Sequence, residues 1–526
     1  MRNTLEKTPA FLLRCFYLVA GITFCYVFLA ALLWNRGSEL PLLLAGVTVL
    51  VAGCVLAAQW LRRHDAAYTA FLADARKRRW AVLGLLLLFM ALQGYFAWQM
   101  MLDQSQEILD IRAVRSVATF VTEHPFSLSE EIPDLAYFKR YENNQFILTL
   151  VTLWFMLCRA IFPHGDYEVF GAVLNVLGTT GAMACTYLAA KNFLGVKKAF
   201  PVLLVWFCFL PFYVYAPTYY TDLLSVPFLA AAIMWISFLY QTKKLRFAML
   251  AGVTVGLGMM LKGTLAVLLV AILIWLLLAD FQTMKKRLMS VALCLVCVLV
   301  MGTGFKAFYE KSGLFGQSPT DHDGMAYPVT HWLMMAQNGE GPYNIDDVNF
   351  SSTYPGDYQA RSKACWDVMV SRITGRELYA SLGFANRKVV QVWGDGTYQA
   401  RQWRRPYSYR PTSPWNSRFD AGDEQNSAPW FQAMHIFHFT LLFAFVGTLL
   451  HRIWKKTSVA DGAFLCQLAL FGMFLFLLIW EWRSRYLLAY AVLLMVMLPV
   501  GISDWCEMGK SLLARRSRKK EFALTH

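Results

Sequence analysis

What most constrains this chain is the recurrence of apolar runs of at least about 17 residues, each able to cross a hydrocarbon core about 30 Å thick. They lie at roughly 10–34, 40–60, 80–102, 146–162, 168–190, 199–216, 221–240, 245–261, 264–280, 287–306, 433–452, 461–480 and 486–506. A chain of 526 residues that is 57% hydrophobic and only 16% charged is excluded from the soluble classes. It reads as an all-α polytopic membrane protein. The first run, Phe11 to Trp34, exceeds the apolar region of a signal peptide and has no small-residue cleavage pattern, so it is read as a retained span.

The net charge of +15 might suggest a nucleic-acid partner, but its distribution argues against one. Lys and Arg cluster in short segments between runs, at Arg2/Lys7/Arg14, Arg62/Arg63/Arg76–Arg79, Lys191/Lys197/Lys198, Lys243/Lys244/Arg246, Lys285/Lys286/Arg287, Arg452/Lys455/Lys456 and Arg515–Lys520. The positive-inside rule places all of them in the cytoplasm. They fit there together only if one run between 103 and 167 does not cross. Residues 146–162 are the natural exception: Gln145, Thr149, Thr152 and Arg159 fall on one helical face, and a helix with one polar face lies along an interface. The expectation is therefore about twelve spans, a juxtamembrane helix at 146–162 and both termini cytoplasmic. Four regions follow: an N-terminal hairpin and cytoplasmic loop (1–79), a membrane core with a first outer loop (80–306, loop 103–167), an extracytoplasmic loop (307–431) and C-terminal spans with a basic tail (432–526).

This topology sorts the remaining polar residues. Asp103, in "MLDQSQEILD", ends the third span at a depth where a carboxylate can act as general base, with Glu107 and Asp110 at one-turn spacings behind it. Asp222 closes "APTYYTD" and opens the next span, where it suits either a site or a helix N-cap. Lys262-Gly263 divides a run too long for one helix. A charge at mid-bilayer costs about 2.5–3.5 kcal/mol, so a hairpin there puts Lys262 at the outer surface. In "EWRSRYLLAY", Arg483 and Arg485 suit a phosphate clamp as well as headgroup anchoring, and Glu481 orients one of them.

Other features are blander. Of eleven cysteines, nearly all lie in apolar runs and only Cys365 in a long polar region; Cys294 and Cys297 form a CxxC inside a span and read as small core hydrophobes. The outer loop holds Asp321, His322, Asp323, His331, Asp346 and Asp347 without ligand spacing for a metal. "WGDGTY" at 393–398 reads as a turn, and helices are expected near 358–371 and 376–389.

Taken in order, these segments resemble the GT-C class of integral membrane glycosyltransferases, in the bacterial branch related to glycosyltransferase family 39, which includes protein O-mannosyltransferases and aminoarabinose transferases. The motifs are the acidic "LDQ" after an early span, "YFKRYENNQFILTL", "YYTD", "GLGMMLKGT", "EWRSRYLLAY" and the loop stretch "THWLMMAQNGEGPYNIDDVNF". The resemblance covers roughly 80–506. This chain departs in having Gln104 after the acid, Glu142 in the "YENN" stretch and Ala489 where proline is common.

The resemblance implies a GT-C-like bundle and transfer of a sugar from a polyprenyl-phosphate donor to an acceptor hydroxyl, with inversion, on the extracytoplasmic face of the plasma membrane. Asp103, with Asp222 as second candidate, supplies the catalytic carboxylate. Lys262, Arg483 and Arg485, with Glu481 and Tyr486, hold the departing phosphate. Tyr141, Asn144, Tyr220 and His331 contact sugar or acceptor. The acceptor is a cell-wall glycan, teichoic acid or protein. No cofactor is firmly implied, and a divalent metal is the lesser expectation. A transporter or flippase of lipid-linked glycan is the alternative, and it would show an internal repeat and ionisable residues deep in spans.

Overall fold

The structure is a computed structural model that describes residues 2–34, 39–101, 109–128, 131–316, 325–354, 356–403, 413–420 and 422–524. Within them every regular element is a helix. Twelve of these helices build the bundle. They are α1 (Arg2–Leu33), α2 (Leu40–Arg63), α3 (Ala75–Gln99), α4 (Tyr167–Leu194), α5 (Val196–Phe207), α6 (Thr221–Thr242), α7 (Arg246–Leu261), α8 (Leu265–Leu278), α9 (Met284–Lys311), α10 (Glu424–Trp454), α11 (Gly462–Ile479) and α12 (Ala491–Leu524). Several starts are set by a carboxylate cap: Asp74 accepts from the Arg76 and Lys77 amides, Asp166 from Glu168 and Asp461 from Phe464.

Burial divides the bundle. α6, α10 and α12 are mostly enclosed, whereas α2, α3 and α9 leave most of their apolar side chains exposed. That outward greasy surface is what a lipid-facing periphery requires. At the α10–α12 crossing, a Cβ on Gly501 would stand 1.9 Å from the Ala444 carbonyl, so only glycine permits this approach. Cys294 packs its backbone against Gly252, and all eleven cysteines are free.

One end of the bundle gathers Asp461, which accepts from Trp275 Nε1 at 2.8 Å, and Val459, which accepts from the Tyr17 hydroxyl at 2.7 Å. We call it the far end. The opposite, site end gathers Asp222, Lys262 and the "EWRSR" segment. The helix Gln145–Ile161 begins beside Asn144, which bonds Tyr137, and leads to Glu168, which bonds Arg115 at 2.8 Å. Both of its ends thus have partners at the site end. Its faces correct the sequence expectation. Thr149 and Thr152 are buried, with hydroxyls turned onto the Gln145 and Leu148 carbonyls, and Leu153, Leu157, Ala160 and Ile161 are the exposed residues.

Among the described residues, ten helices have the length and apolarity of a membrane span, including Glu142–Ile161 but not α5, α7 or α8. At about 1.5 Å per residue, the 16 residues of α7 and 14 of α8 rise only about 24 and 21 Å, short of a core of about 30 Å. The Lys262 side chain is only 9% exposed, so the turn is recessed into the bundle rather than laid on its surface, a second correction to the sequence reading.

Candidate functional site

The recess is built on one carboxylate. Asp222 lies inside the first turn of α6, where Tyr220 occupies the N-cap position, so it is not a cap. Its side chain is 2% exposed; Oδ1 takes the Lys262 ammonium, and Oδ2 lies 3.6 Å from Arg485 Nη1. Lys262 is 9% exposed and also lies 4.8 Å above the Tyr486 ring. α7 ends at Lys262 with extended backbone, and that ending turns the side chain toward Asp222.

Beside this triad, Glu481 accepts from Arg483 Nε at 2.7 Å and from the Tyr486 hydroxyl at 3.2 Å. Glu481 is buried, whereas Arg483 is the more open of the two arginines, with its guanidinium 5.8 Å from the Tyr343 ring. Three cations thus face the two carboxylates that touch them, and the guanidinium forks among them match phosphate oxygens. The 481–485 segment is held from above by the Gly341 carbonyl, which takes the Trp482 amide at 3.2 Å, and the Glu340 carbonyl, which takes its indole at 2.7 Å.

A third carboxylate enters from the first loop. The amphipathic helix Leu109–Glu123 is fastened by the buried Arg115–Glu168 pair. Its first turn presents Asp110, which accepts from the Tyr137 hydroxyl at 2.9 Å, and Asn144 Nδ2 donates to the same hydroxyl at 2.7 Å. Tyr137 also shares a hydrogen bond with Tyr220, and Asp110 lies close enough to raise the affinity of Arg485 for its proton. Burial holds Tyr137 firmly in its phenol form, with Tyr220 and Asp110 adding to the effect.

The sequence-predicted residues therefore separate into groups. Asp222, Lys262, Glu481, Arg483, Arg485 and Tyr486 form one cluster, with Tyr220 and Asn144 beside it on Tyr137. Tyr141 lies one layer out, edge-on to Tyr327 at 5.3 Å, in a loop stitched down by the Tyr327 amide on the Arg140 carbonyl. His331 is fully buried, with Nδ1 on the Ser351 hydroxyl at 2.7 Å and Tyr327 stacked on its ring. Burial pushes its pKa down to about 4, so it is a neutral strut of the loop and offers no surface to a sugar, contrary to the expected contact. Asp103 lies outside the described residues, as do Asp321, His322 and Asp323. Asp347 is spent on Arg372 at 2.6 Å, and among the described residues no three His, Cys, Asp or Glu side chains converge as a metal site.

Sequence reasoning missed Asp110 as the acid that reaches the cluster, Tyr137 and Asp395. Tyr137 was visible only as the first letter of "YFKRYENN". Asp395 looked like a turn residue. It is buried, and its Oδ2 accepts from the Ser484 hydroxyl at 2.5 Å, within the arginine segment.

A family model described as conserved hypothetical integral membrane protein matches residues 8–504. The chain belongs to that family. No curated protein matches it. Among solved structures it is similar to the oligosaccharyltransferase AglB of Archaeoglobus fulgidus, in complex with an inhibitory peptide and a dolichol-phosphate. That match has 13% identity and a TM-score of 0.45 over 83% of this chain and 52% of that one. The chain thus spans about half the length of AglB. It is also similar to ArnT of Cupriavidus metallidurans bound to undecaprenyl phosphate, with 12% identity and a TM-score of 0.34 over 81% of this chain and 78% of that one. The polytopic helical architecture expected from the apolar runs is the one the structure has.

Proposed function

We propose that this protein is a GT-C-type glycosyltransferase that moves a sugar from a polyprenyl-phosphate donor to an acceptor hydroxyl at the site end, on the extracytoplasmic face of the membrane. The observation that carries the reading is the recessed cluster in which Asp222 is shared by Lys262 and Arg485 beside the Glu481-braced Arg483. Buried cations at span ends are expensive and are retained where they meet an anion. The order of motifs from "LDQ" to "EWRSRYLLAY" points the same way.

In this reading Arg483, Arg485 and Lys262 bind the donor phosphate, and Asp222 and Glu481 keep them aimed before it arrives. The Tyr486 ring supports the Lys262 ammonium from one side. The base comes from the acidic segment 103–110: Asp110 reaches the cluster, and Asp103 is the alternative that the motif suggests. The carboxylate takes the acceptor O–H proton as that oxygen bonds the anomeric carbon. The carbon–oxygen bond to phosphate breaks on the opposite face, and its electron pair leaves on a phosphate stabilised by the three cations. Tyr141, Tyr327, Tyr343 and Trp332 form the aromatic layer above, suited to sugar rings or acceptor. The acceptor class is a cell-wall glycan, teichoic acid or protein.

The test uses purified protein and its Arg485→Ala variant with radiolabelled polyprenyl-phosphate sugars and a crude cell-wall extract. Label transfer by the wild type that the variant lacks is the expected result. Donor binding without transfer by the wild type would replace an enzyme with a carrier of lipid-linked glycan.

A further inference from the structure

Two residues outside the cluster grip the arginine segment on either side. Lys388, in the helix Leu378–Trp393, is 1% exposed. Its ammonium donates to the carbonyls of Trp480 at 2.7 Å, Leu478 at 3.0 Å and Ala336 at 3.3 Å. Three N–H groups meet three carbonyls. Two of those carbonyls belong to the unsatisfied end of α11, where a cation also complements the helix dipole. The residue after Trp480 is Glu481.

Seven residues after Lys388 comes Asp395. Its Oδ1 accepts from the Thr397 amide at 2.9 Å and hydroxyl at 2.6 Å; its Oδ2 accepts from the Gln399 amide at 2.9 Å and from Ser484 at 2.5 Å. This requires a backbone that L residues resist: Tyr398 and Gln399 stand at φ 54° and 61°, in the left-handed region that is unfavourable without glycine. The surroundings enforce it. The Tyr398 hydroxyl bonds His438, its carbonyl takes the Tyr215 hydroxyl at 2.7 Å, and a Cβ on Gly396 would stand 2.7 Å from the His435 Cα. A strained, over-determined turn that aims one buried carboxylate at one serine is an organised feature, not a loop default.

We propose that Lys388 and Asp395 are positioning residues for the phosphate-binding arginines. Lys388 fixes the backbone before Glu481, Asp395 fixes it at Ser484, and Arg483 is suspended between the two grips with Arg485 at the edge. Neither residue touches the ligand. The inference rests on the proposed reading of the arginines as phosphate ligands, but its geometric half is testable alone.

The experiment compares the full-length protein with Lys388→Met, Asp395→Asn, Ser484→Ala and Ser484→Thr in detergent. Hydrogen exchange of the 481–488 peptide is read by mass spectrometry alongside binding of undecaprenyl phosphate. Expected are faster exchange confined to that peptide in the first three variants and binding weaker by about tenfold, the scale on which losing an outer-layer partner weakens other charged sites. Ser484→Thr, which keeps the hydroxyl, restores both. Unchanged exchange at 481–488 in all variants, or a loss spread over every helix, overturns the proposal. Faster local exchange in the variants, with a wild-type protein that binds no undecaprenyl phosphate, supports the positioning role and overturns the phosphate reading instead.

Discussion

At the far end, Lys197 meets Asp65 at 2.7 Å with side chains 47% and 57% exposed, and Lys455 meets Glu507 at 2.6 Å in similar exposure. At the site end, Asp222 is 2% exposed and shared by Lys262 and Arg485, while Glu481 is enclosed by Arg483 and Tyr486. These two pairs lie in water, unlike the more enclosed Arg452–Asp461 pair at the same end, and their mutual attraction is largely offset by lost hydration and side-chain entropy. The site-end charges have given up hydration that no folding requirement demanded, since well-packed apolar residues of similar volume usually serve stability as well or better. That contrast, more than any single contact, marks the recess as the part of the molecule organised for a task.

The largest expected effect breaks the chemistry without disturbing the cluster. Asp110→Asn keeps an acceptor for the Tyr137 hydroxyl but cannot take a proton. Sugar transfer should fall about 10²- to 10⁴-fold, the range general-base catalysis supplies, with helical content unchanged by circular dichroism and donor binding retained. Asp103→Asn, measured in parallel, should stay near wild type. The reverse ranking would move the base seven residues upstream.

Next comes the shared carboxylate. Lys262→Met leaves Asp222 buried with Arg485 alone at 3.6 Å; removing one partner of a buried pair costs about 3–5 kcal/mol. Thermal unfolding in detergent should show that loss. The double variant Lys262→Met/Asp222→Asn removes the stranded carboxylate but takes its nearest acid from buried Arg485, so it should recover only part of the loss and none of the polyprenyl-phosphate binding. Recovery of both would make the cluster a structural pair only.

The sequence disclosed the crossings because a membrane writes its constraint in one dimension, as apolar length and basic ends. It also disclosed Asp222, Lys262 and the 481–485 charges, since ionisable residues at the ends of apolar runs stand out. Their pairing was illegible: Lys262 meets an acid 40 residues away, and Ser484 meets Asp395 89 residues away. The polar face expected on the helix at 146–162 failed for a specific reason. Threonine in an apolar helix can turn its hydroxyl onto the carbonyl four residues back, as Thr149 and Thr152 do, and then packs as an apolar residue. Lys262 was placed at the surface because the residues that enclose it, Asp222 and Tyr486, come from distant parts of the chain.

A smaller effect separates the ends by pH. Burial, with Arg376 adding to it and Glu481 opposing it, lowers the Lys388 pKa from 10.5 to about 7. The unfolded chain keeps this proton until well above pH 7 and the folded chain does not. Between those values, raising pH therefore favours the folded state through this group, and below about pH 7 its contribution is flat. The neutral amine, however, has two N–H groups for three carbonyls. Transfer activity should decline as pH rises through about 7 while thermal stability does not, and Lys388→Met should lower activity and abolish that limb. A parallel fall of both would place the titration in global unfolding.

The smallest effect is the control that the comparison requires. Lys197→Ala removes the cation from the Asp65 pair at the far end. An exposed pair contributes about 0.2–1 kcal/mol, and the Debye length of about 8 Å at physiological salt screens what remains, so the loss measured by thermal unfolding should shrink further as salt is raised. Donor binding should be untouched, because nothing in the pair reaches the recess. A far-end variant that weakened binding as much as Lys262→Met would mean that the two ends are coupled through the bundle. Arg485, Lys262 and Asp222 would then have to be treated as one face of a larger switch, not as a local anion site.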